Sequence, residues 1–251
     1  MLQAERRNYI INLMRKNGKV IVEDLASELG VSTMTIRRDL KYLEDNNLLT
    51  RTHGGAVSNV NQEIPYSEKA DSANEEKEKI AEYAATLVEE GSTIILDAGT
   101  TTMEIAKKIK DKKNITVITT DIMIGAFLSK AKGIKVFCTG GVIQSETGAC
   151  IGTKAEEFLE DIYADITFLG TSAIDLKKGV TTPNLEKSRL KRTMMSSSDE
   201  VILVLDSSKF GKKSFSKVCG LDEIDLIITD ENLHEDTVSE IKDKEIPIEL
   251  V

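Results

Sequence analysis

Arg37 and Arg38 stand side by side in Ser32-Thr33-Met34-Thr35-Ile36-Arg37-Arg38-Asp39-Leu40, a polar stretch crossed by apolar residues at helical spacing. Ile36, Leu40 and Leu43 recur at i, i+4 and i+7 and form an inward face. Met34, Arg38 and Lys41 then fall on the opposite face, with Thr33 and Arg37 at its flanks. An arginine there can pair bidentately with O6 and N7 of guanine, and a threonine can bond phosphate or touch the thymine methyl. Ser32 and Thr35 complete the candidate contact set at the start of the helix. Arg51 and His53 follow within a glycine-turned hairpin and are positioned to reach the nucleic-acid backbone or minor groove. The alternative is a solvated helix face, with Arg37 and Arg38 paired to Asp39 or Glu44.

A second set of residues suits anion and hydroxyl binding. Asp97-Ala98-Gly99-Thr100-Thr101-Thr102 joins an apolar strand to a helix, where backbone N–H groups and hydroxyls converge on an anion such as phosphate. Thr119-Thr120-Asp121, Thr139-Gly140-Gly141, Gly170-Thr171-Ser172 and Ser207-Ser208-Lys209 occupy equivalent positions after other strands. Ligands of open α/β sheets gather at those strand ends. The expected lining is Asp97, Gly99, Thr100, Thr101, Thr102, Thr120, Asp121, Gly140, Gly141, Thr171, Asp175 and Lys209. Lys209 would neutralise phosphate, Asp121 and Asp175 would bond sugar hydroxyls, and Asp97 could instead orient the threonine loop. Taken alone, the Gly99-Thr100-Thr101 loop could equally be an ordinary helix cap.

The arginine face requires a frame. Helices are expected from Ala4 to about Lys16, stopped by Gly18, from Val22 to Leu29, and from Thr33 to about Asn46, where Asn46-Asn47 is a stop signal. Gly30-Val31-Ser32 is the tight turn, with Ser32 as N-cap. Leu48–Thr52 and Ala56-Val57 form a hairpin about His53-Gly54-Gly55. Residues 1–57 thus read as a winged helix-turn-helix, 58–74 as a polar linker and 75–251 as a larger domain. In that domain helices (Glu75–Glu90, to Ile109, Ile122–Ala131, Lys154–Asp161, Glu186–Ser196, Leu233–Lys242) alternate with apolar strands. The strands are Thr93–Leu96, Ile115–Thr119, Ile134–Cys138, Ile166–Leu169, Val201–Leu205 and Leu226–Ile228. The fold class is α/β, a doubly wound, mostly parallel sheet covered on both faces. Glu186–Arg192 reads as a charged helix with a solvated face.

Composition narrows the function classes. The net charge of −9 is uneven: residues 1–57 carry nine basic against seven acidic residues, net +2, which leaves −11 for the rest. A basic head on an acidic body confines nucleic-acid contact to the head. Two distant histidines, His53 and His234, and three cysteines without a C-x-x-C pair argue against a metal site. Cys138, Cys150 and Cys219 read as reduced, mostly buried thiols. No apolar run reaches the roughly 18–20 residues of a membrane span, and the N-terminus has no signal-peptide character. A cytoplasmic protein without cofactor is expected.

Glu23-Asp24-Leu25-Ala26, the run from Leu29 to Leu40, and Arg51-Thr52-His53-Gly54-Gly55-Ala56 resemble the DeoR family of bacterial regulators. The likeness continues through Asp97–Thr101, Thr119–Asp121, Thr139–Gly141 and Asp206-Ser207-Ser208-Lys209-Phe210, and so spans nearly the whole chain. It implies a sensing body related to ribose-5-phosphate isomerase, a phosphorylated sugar as effector, operator DNA as partner, and a repressor relieved by the effector. A head of this size offers few base contacts, so a homodimer or homotetramer is expected. The same kinship raises an isomerase as rival, with Asp175, Lys178 and Glu186 in the corresponding stretch. Val180 stands where such an enzyme has glycine, and an isomerase has no use for the head. An acidic adaptor without DNA contact leaves Arg37, Arg38 and the hairpin unexplained.

Overall fold

A computed structural model describes residues 2–17, 19–45, 49–58, 66–70 and 72–251. The expected stop signals Gly18 and Asn46-Asn47, together with Leu48, lie outside them. The chain divides into two compact units, Met1–Gln62 and Glu63–Val251.

The first unit packs three helices, α1 (Gln3–Asn17), α2 (Val22–Leu29) and α3 (Thr33–Asp45), with strands β1 (Lys19–Ile21), β2 (Leu49–Thr52) and β3 (Gly55–Ser58). The strands form an antiparallel sheet in the order β1-β3-β2. The three-residue β1, too short to show alternation, was absent from the sequence expectation. Ile10, Met14, Leu25, Ile36, Leu40, Leu43, Leu49 and Ala56 fill the core. Gly30 ends α2 in the left-handed region, φ 63°, which allows the abrupt turn into α3. Gly55 is needed for close approach: a Cβ there would sit 2.0 Å from the Val20 carbonyl oxygen of β1.

The second unit is built on a seven-stranded parallel sheet. Its strands are β4 (Thr93–Leu96), β5 (Ile115–Thr119), β6 (Ile134–Cys138), β9 (Ala164–Leu169), β12 (Ser198–Val204), β14 (Leu226–Thr229) and β15 (Ile248–Leu250). Their order is β15-β14-β12-β9-β4-β5-β6. The chain winds outward from β4 through β5 and β6, then returns to the other side of β4 at β9. The β4/β9 crevice is therefore the topological switch point. Helices α5 (Asn74–Thr86), α6 (Thr100–Ile109) and α7 (Ile122–Leu128) supply one apolar layer through Ile80, Ala84, Ile105 and Ile124. The other layer comes from α8 (Thr153–Glu160), α9 (Leu185–Ser196) and α10 (Glu235–Asp243), through Leu159, Leu190, Met194 and Ile241.

Three features lie beyond the expected doubly wound pattern. A small antiparallel sheet joins β10 (Ala173–Asp175), β11 (Gly179–Thr182) and β13 (Ser216–Cys219). A two-residue hairpin pairs β7 (Val142–Ile143) with β8 (Cys150–Ile151). The stretch 58–74, expected as linker, contains the helix α4 (Tyr66–Ala70), whose Tyr66 amide donates to the Glu146 carbonyl at 2.8 Å.

Candidate functional site

In the first unit α3 presents Thr33, Met34, Arg37, Arg38 and Lys41 to solvent, with Ser32 exposed beside them. Met34 is 58% exposed, on the same face as Arg37, Arg38 and Lys41. Thr35 is half-buried and turned back on the helix start: its amide donates to Ser32 Oγ at 3.2 Å, and the two hydroxyls are 3.0 Å apart. It holds the cap and does not face outward. Arg51 and His53 are exposed on the hairpin, although Arg51 is tethered to Glu44 through its amide (2.9 Å) and guanidinium (3.5 Å).

The alternative pairing of Arg37 and Arg38 with Asp39 or Glu44 is not what forms. Asp39 is fully buried, and its two oxygens accept from Arg6 Nε at 2.6 Å and Arg7 Nε at 3.1 Å. The Arg7 guanidinium also lies over the Tyr42 ring, 3.5 Å from its centroid. Thus α1 clamps α3 through Asp39, on the side opposite the exposed face. Arg37 and Arg38 make no hydrogen bond or ion pair among the described residues.

In the second unit the switch point is occupied by a buried ion pair. Asp97, at the end of β4, accepts from the amides of Ala98 (2.8 Å) and Gly170 (3.0 Å) and from Lys191 Nζ. Lys191 reaches across from α9 and also donates to the Gly170 carbonyl at 2.9 Å, tying the ends of β4 and β9 together. The solvated-face reading of Glu186–Arg192 is therefore corrected: Lys187 and Lys191 are 8% and 6% exposed. They share the inward stripe of Leu190 and Met194, a spacing of i, i+3, i+4 and i+7 that was present in the sequence but masked by charge. Lys187 Nζ donates to Thr147 Oγ1 at 3.2 Å, which brings the hairpin loop to the same strand ends.

The residues after β5 supply polar atoms without partners. Asp121 Oδ1 caps α7 through the amides of Met123 (2.8 Å) and Ile124 (3.4 Å). Its Oδ2 and the Thr120 hydroxyl are buried without a hydrogen-bond partner among the described residues. Burial raises the Asp121 carboxyl to about 6, outweighing the amides of Met123, Ile124 and Gly99, which lower it. Burial likewise pushes the Tyr66 phenol to about 12, helped by the negative charges of Asp121 and Glu104. Lys77, on α5, is buried and donates to the carbonyls of Lys69 and Ser72; burial lowers its pKa while nearby Asp206 raises it. Tyr66 of α4 thus lies in the neighbourhood of Asp121, and Lys77 of α5 in that of Asp206.

Other expected lining residues divide by environment. Thr100 is buried and Thr101 half-buried in the first turn of α6, with Gly99 as its N-cap. Thr102 turns inward, its hydroxyl donating to the Asp97 carbonyl at 2.7 Å, and braces the loop. Gly140 and Gly141 are exposed after β6. Thr171 donates to the carbonyls of Ala173 and Thr181 at 3.1 and 3.2 Å. Asp175 Oδ1 accepts the amides of Lys177 and Lys178, so it shapes the β10–β11 turn. Lys209 Nζ is 3.5 Å from Asp206. The isomerase-like set is not assembled around a common acid: Lys178 and Glu186 face solvent, and Val180 is a fully buried strand residue. Among the described residues no group of three His, Cys, Asp or Glu could hold a metal ion, and no helix is long and apolar enough to cross a membrane.

A winged helix-turn-helix joined to a parallel-sheet domain with a polar switch-point crevice defines a DNA-binding regulator with a separate ligand-sensing body. Comparison with known proteins agrees. A model described as a DeoR-like helix-turn-helix domain matches residues 6–62, and the DeoR C terminal sensor domain matches residues 72–231. The HTH-type transcriptional regulator GlpR of Haloferax volcanii is 41% identical, with 96% of this chain and 95% of that protein covered. The glycerol-3-phosphate regulon repressor of Escherichia coli K12 is 32% identical, with 100% of both covered. The chain belongs to the DeoR family of transcriptional regulators. Among solved structures, ribose 5-phosphate isomerase A from Methanocaldococcus jannaschii matches 55% of each chain at 16% identity and a TM-score of 0.42, a likeness that carries no chemistry across.

Proposed function

We propose that this protein is a repressor of a sugar-metabolism operon, released from operator DNA when a phosphorylated sugar binds at the carboxyl ends of the parallel strands. The observation that carries this reading is the switch-point crevice. There Asp97, Lys191 and Gly170 lock two strands together beside the unpartnered, buried Thr120 hydroxyl and Asp121 Oδ2. Unsatisfied buried polar atoms call for a partner, and a polyol provides donors and acceptors for both. The phosphate would lie at the Thr100–Thr101 start of α6, at the helix N-terminus, with Lys209 as its cation. The name of the Escherichia coli relative, which specifies a sugar-alcohol phosphate regulon, supports a ligand of this class.

On DNA, Thr33, Met34, Arg37, Arg38 and Lys41 would enter the major groove, Ser32 and Arg51 would contact phosphate, and His53 would act from the wing. Useful specificity requires two heads on two half-sites, hence a homodimer or homotetramer working in the cytoplasm. Release requires that the effector bind the DNA-incompetent arrangement more tightly. The test is a thermal-shift screen against sugar phosphates, followed by operator-release assays on the hits. A hit that raises the melting temperature and frees the DNA supports the reading. Uniform indifference to sugar phosphates, or stabilisation without any effect on DNA binding, refutes it.

A further inference from the structure

The cysteines were expected as reduced, mostly buried thiols; Cys150 and Cys219 are buried, but Cys138 is exposed. Cys138 ends β6 and is exposed, while Cys150 begins β8 and is buried. Their sulfurs are 3.7 Å apart. The backbone fixes this approach from both sides. Cys138 lies in register with Thr119 on β5, and the amide of Thr139 donates to Thr119 at 3.1 Å. The amide of Cys150 donates to the carbonyl of Thr120 at 2.6 Å. Both thiols are thus anchored to consecutive residues of one segment. A disulfide requires that gap to close to a bonded distance of about 2.05 Å.

We propose that Cys138 and Cys150 form a reversible disulfide, a redox-modification site oxidised by hydrogen peroxide. Exposure makes Cys138 the entry point. Its thiolate attacks one peroxide oxygen, the O–O bond breaks, and the departing oxygen leaves as water after taking up protons, giving a sulfenic acid on Cys138. The Cys150 sulfur then attacks the Cys138 sulfur, the S–O bond breaks, and the hydroxyl leaves as a second water with the Cys150 proton. Two thiols lose two electrons and peroxide becomes two waters. Burial pushes the Cys150 thiol up to about 12, which keeps it protonated and leaves the first attack on peroxide to Cys138.

The bridge would clamp the hairpin loop 139–149 to the end of β6. That loop carries Glu146, whose carbonyl holds the Tyr66 amide, and Thr147, which holds Lys187. Oxidation would therefore alter the effector response, a consequence that rests on the site proposed above; the disulfide itself does not.

The experiment exposes the full-length protein to stoichiometric hydrogen peroxide, quenches it, and counts free thiols after denaturation. The count should fall from three to one and return to three with dithiothreitol, and peptide mapping should join the Cys138 and Cys150 peptides. C219S should still lose two thiols, whereas C138S and C150S should form no internal bridge. Retention of three thiols, a bridge involving Cys219, or a bridge between chains would overturn the proposal. Once an effector is identified, the concentration needed for half-release should differ by about fivefold or more between reduced and oxidised protein. A completed bridge with an unchanged response would overturn the regulatory consequence alone.

Discussion

Arg38→Ala and Asp39→Asn alter adjacent residues of one helix and should separate recognition from stability. Arg38 is exposed and makes no ion pair among the described residues, so its truncation leaves nothing buried unsatisfied. The expected change in unfolding free energy is within about 0.5 kcal/mol. If Arg38 pairs bidentately with a guanine, operator affinity should fall by about 1–3 kcal/mol, roughly fivefold to 150-fold. Asp39 is the reverse case, fully buried with both oxygens engaged by Arg6 and Arg7. Removing its charge leaves the largely buried Arg6 guanidinium uncompensated, while Arg7 keeps its stacking on Tyr42. Breaking a buried pair from one side costs about 3–5 kcal/mol, and the retained stacking favours the lower end. For a domain of this size that is a drop of about 12 °C or more in the melting of the head. The assay pairs thermal unfolding with fluorescence anisotropy on an operator selected by the parent protein from a random-sequence pool. An Arg38→Ala variant that melts like the parent and binds undiminished would refute the recognition role. An Asp39→Asn variant that melts like the parent would refute the clamp.

Lys191→Met should destabilise the second unit by about 3–5 kcal/mol, because it strands the Asp97 carboxylate at the switch point; adding Asp97→Asn should recover part of the loss, and an unshifted melting curve would refute the pairing. Asp121 holds its proton to about pH 6 in the fold and to about 3.8 when unfolded. The folded state therefore binds more protons between those values, and its advantage, full below about 3.8, is lost as pH rises through 6. Asp121→Asn abolishes that titration, so parent-minus-variant stability should fall by about 3 kcal/mol across the window; a flat difference would contradict the assigned shift. Lys209→Ala should leave operator affinity nearly intact and weaken release by a phosphorylated effector, which a titration of effector against bound DNA would measure. Equal sensitivity of variant and parent would remove Lys209 from the site.

Much of the frame was legible because its signals are local. The limits of α2 and of strands Ile115–Thr119 and Ile134–Cys138 follow directly from apolar periodicity and bounding turns, and agree with the structure residue for residue. The elements that escaped are β1, β7, β8, β10, β11, β13, β15 and α4, each of five residues or fewer, too short for a period to stand out. They are held by partners elsewhere, as Tyr66 is held by Glu146. In the candidate site, the loops following the strands were legible as polar breaks, but the direction of each side chain was not. Thr102 and Asp175 serve their own backbones, while Lys187 and Lys191, read as solvated, point inward.

By itself the sequence determined the α/β alternation, the winged head, the exposed Arg37-Arg38 face and the DeoR resemblance, because each resides in residues close enough to interact through a single helix, strand or turn. Only the tertiary structure decided what meets at the switch point and beside it. Asp97 and Lys191 are separated by 94 positions, and Cys138 and Cys150 face each other because Thr119, ending β5, and Thr120, just after it, fix them in turn. A charged side chain carries no local sign of whether it will end in solvent or against its counter-ion. That outcome depends on which strand ends the sheet topology brings together, and here the return from β6 to β9 sets Gly170 beside Asp97 and draws Lys191 in to bind both.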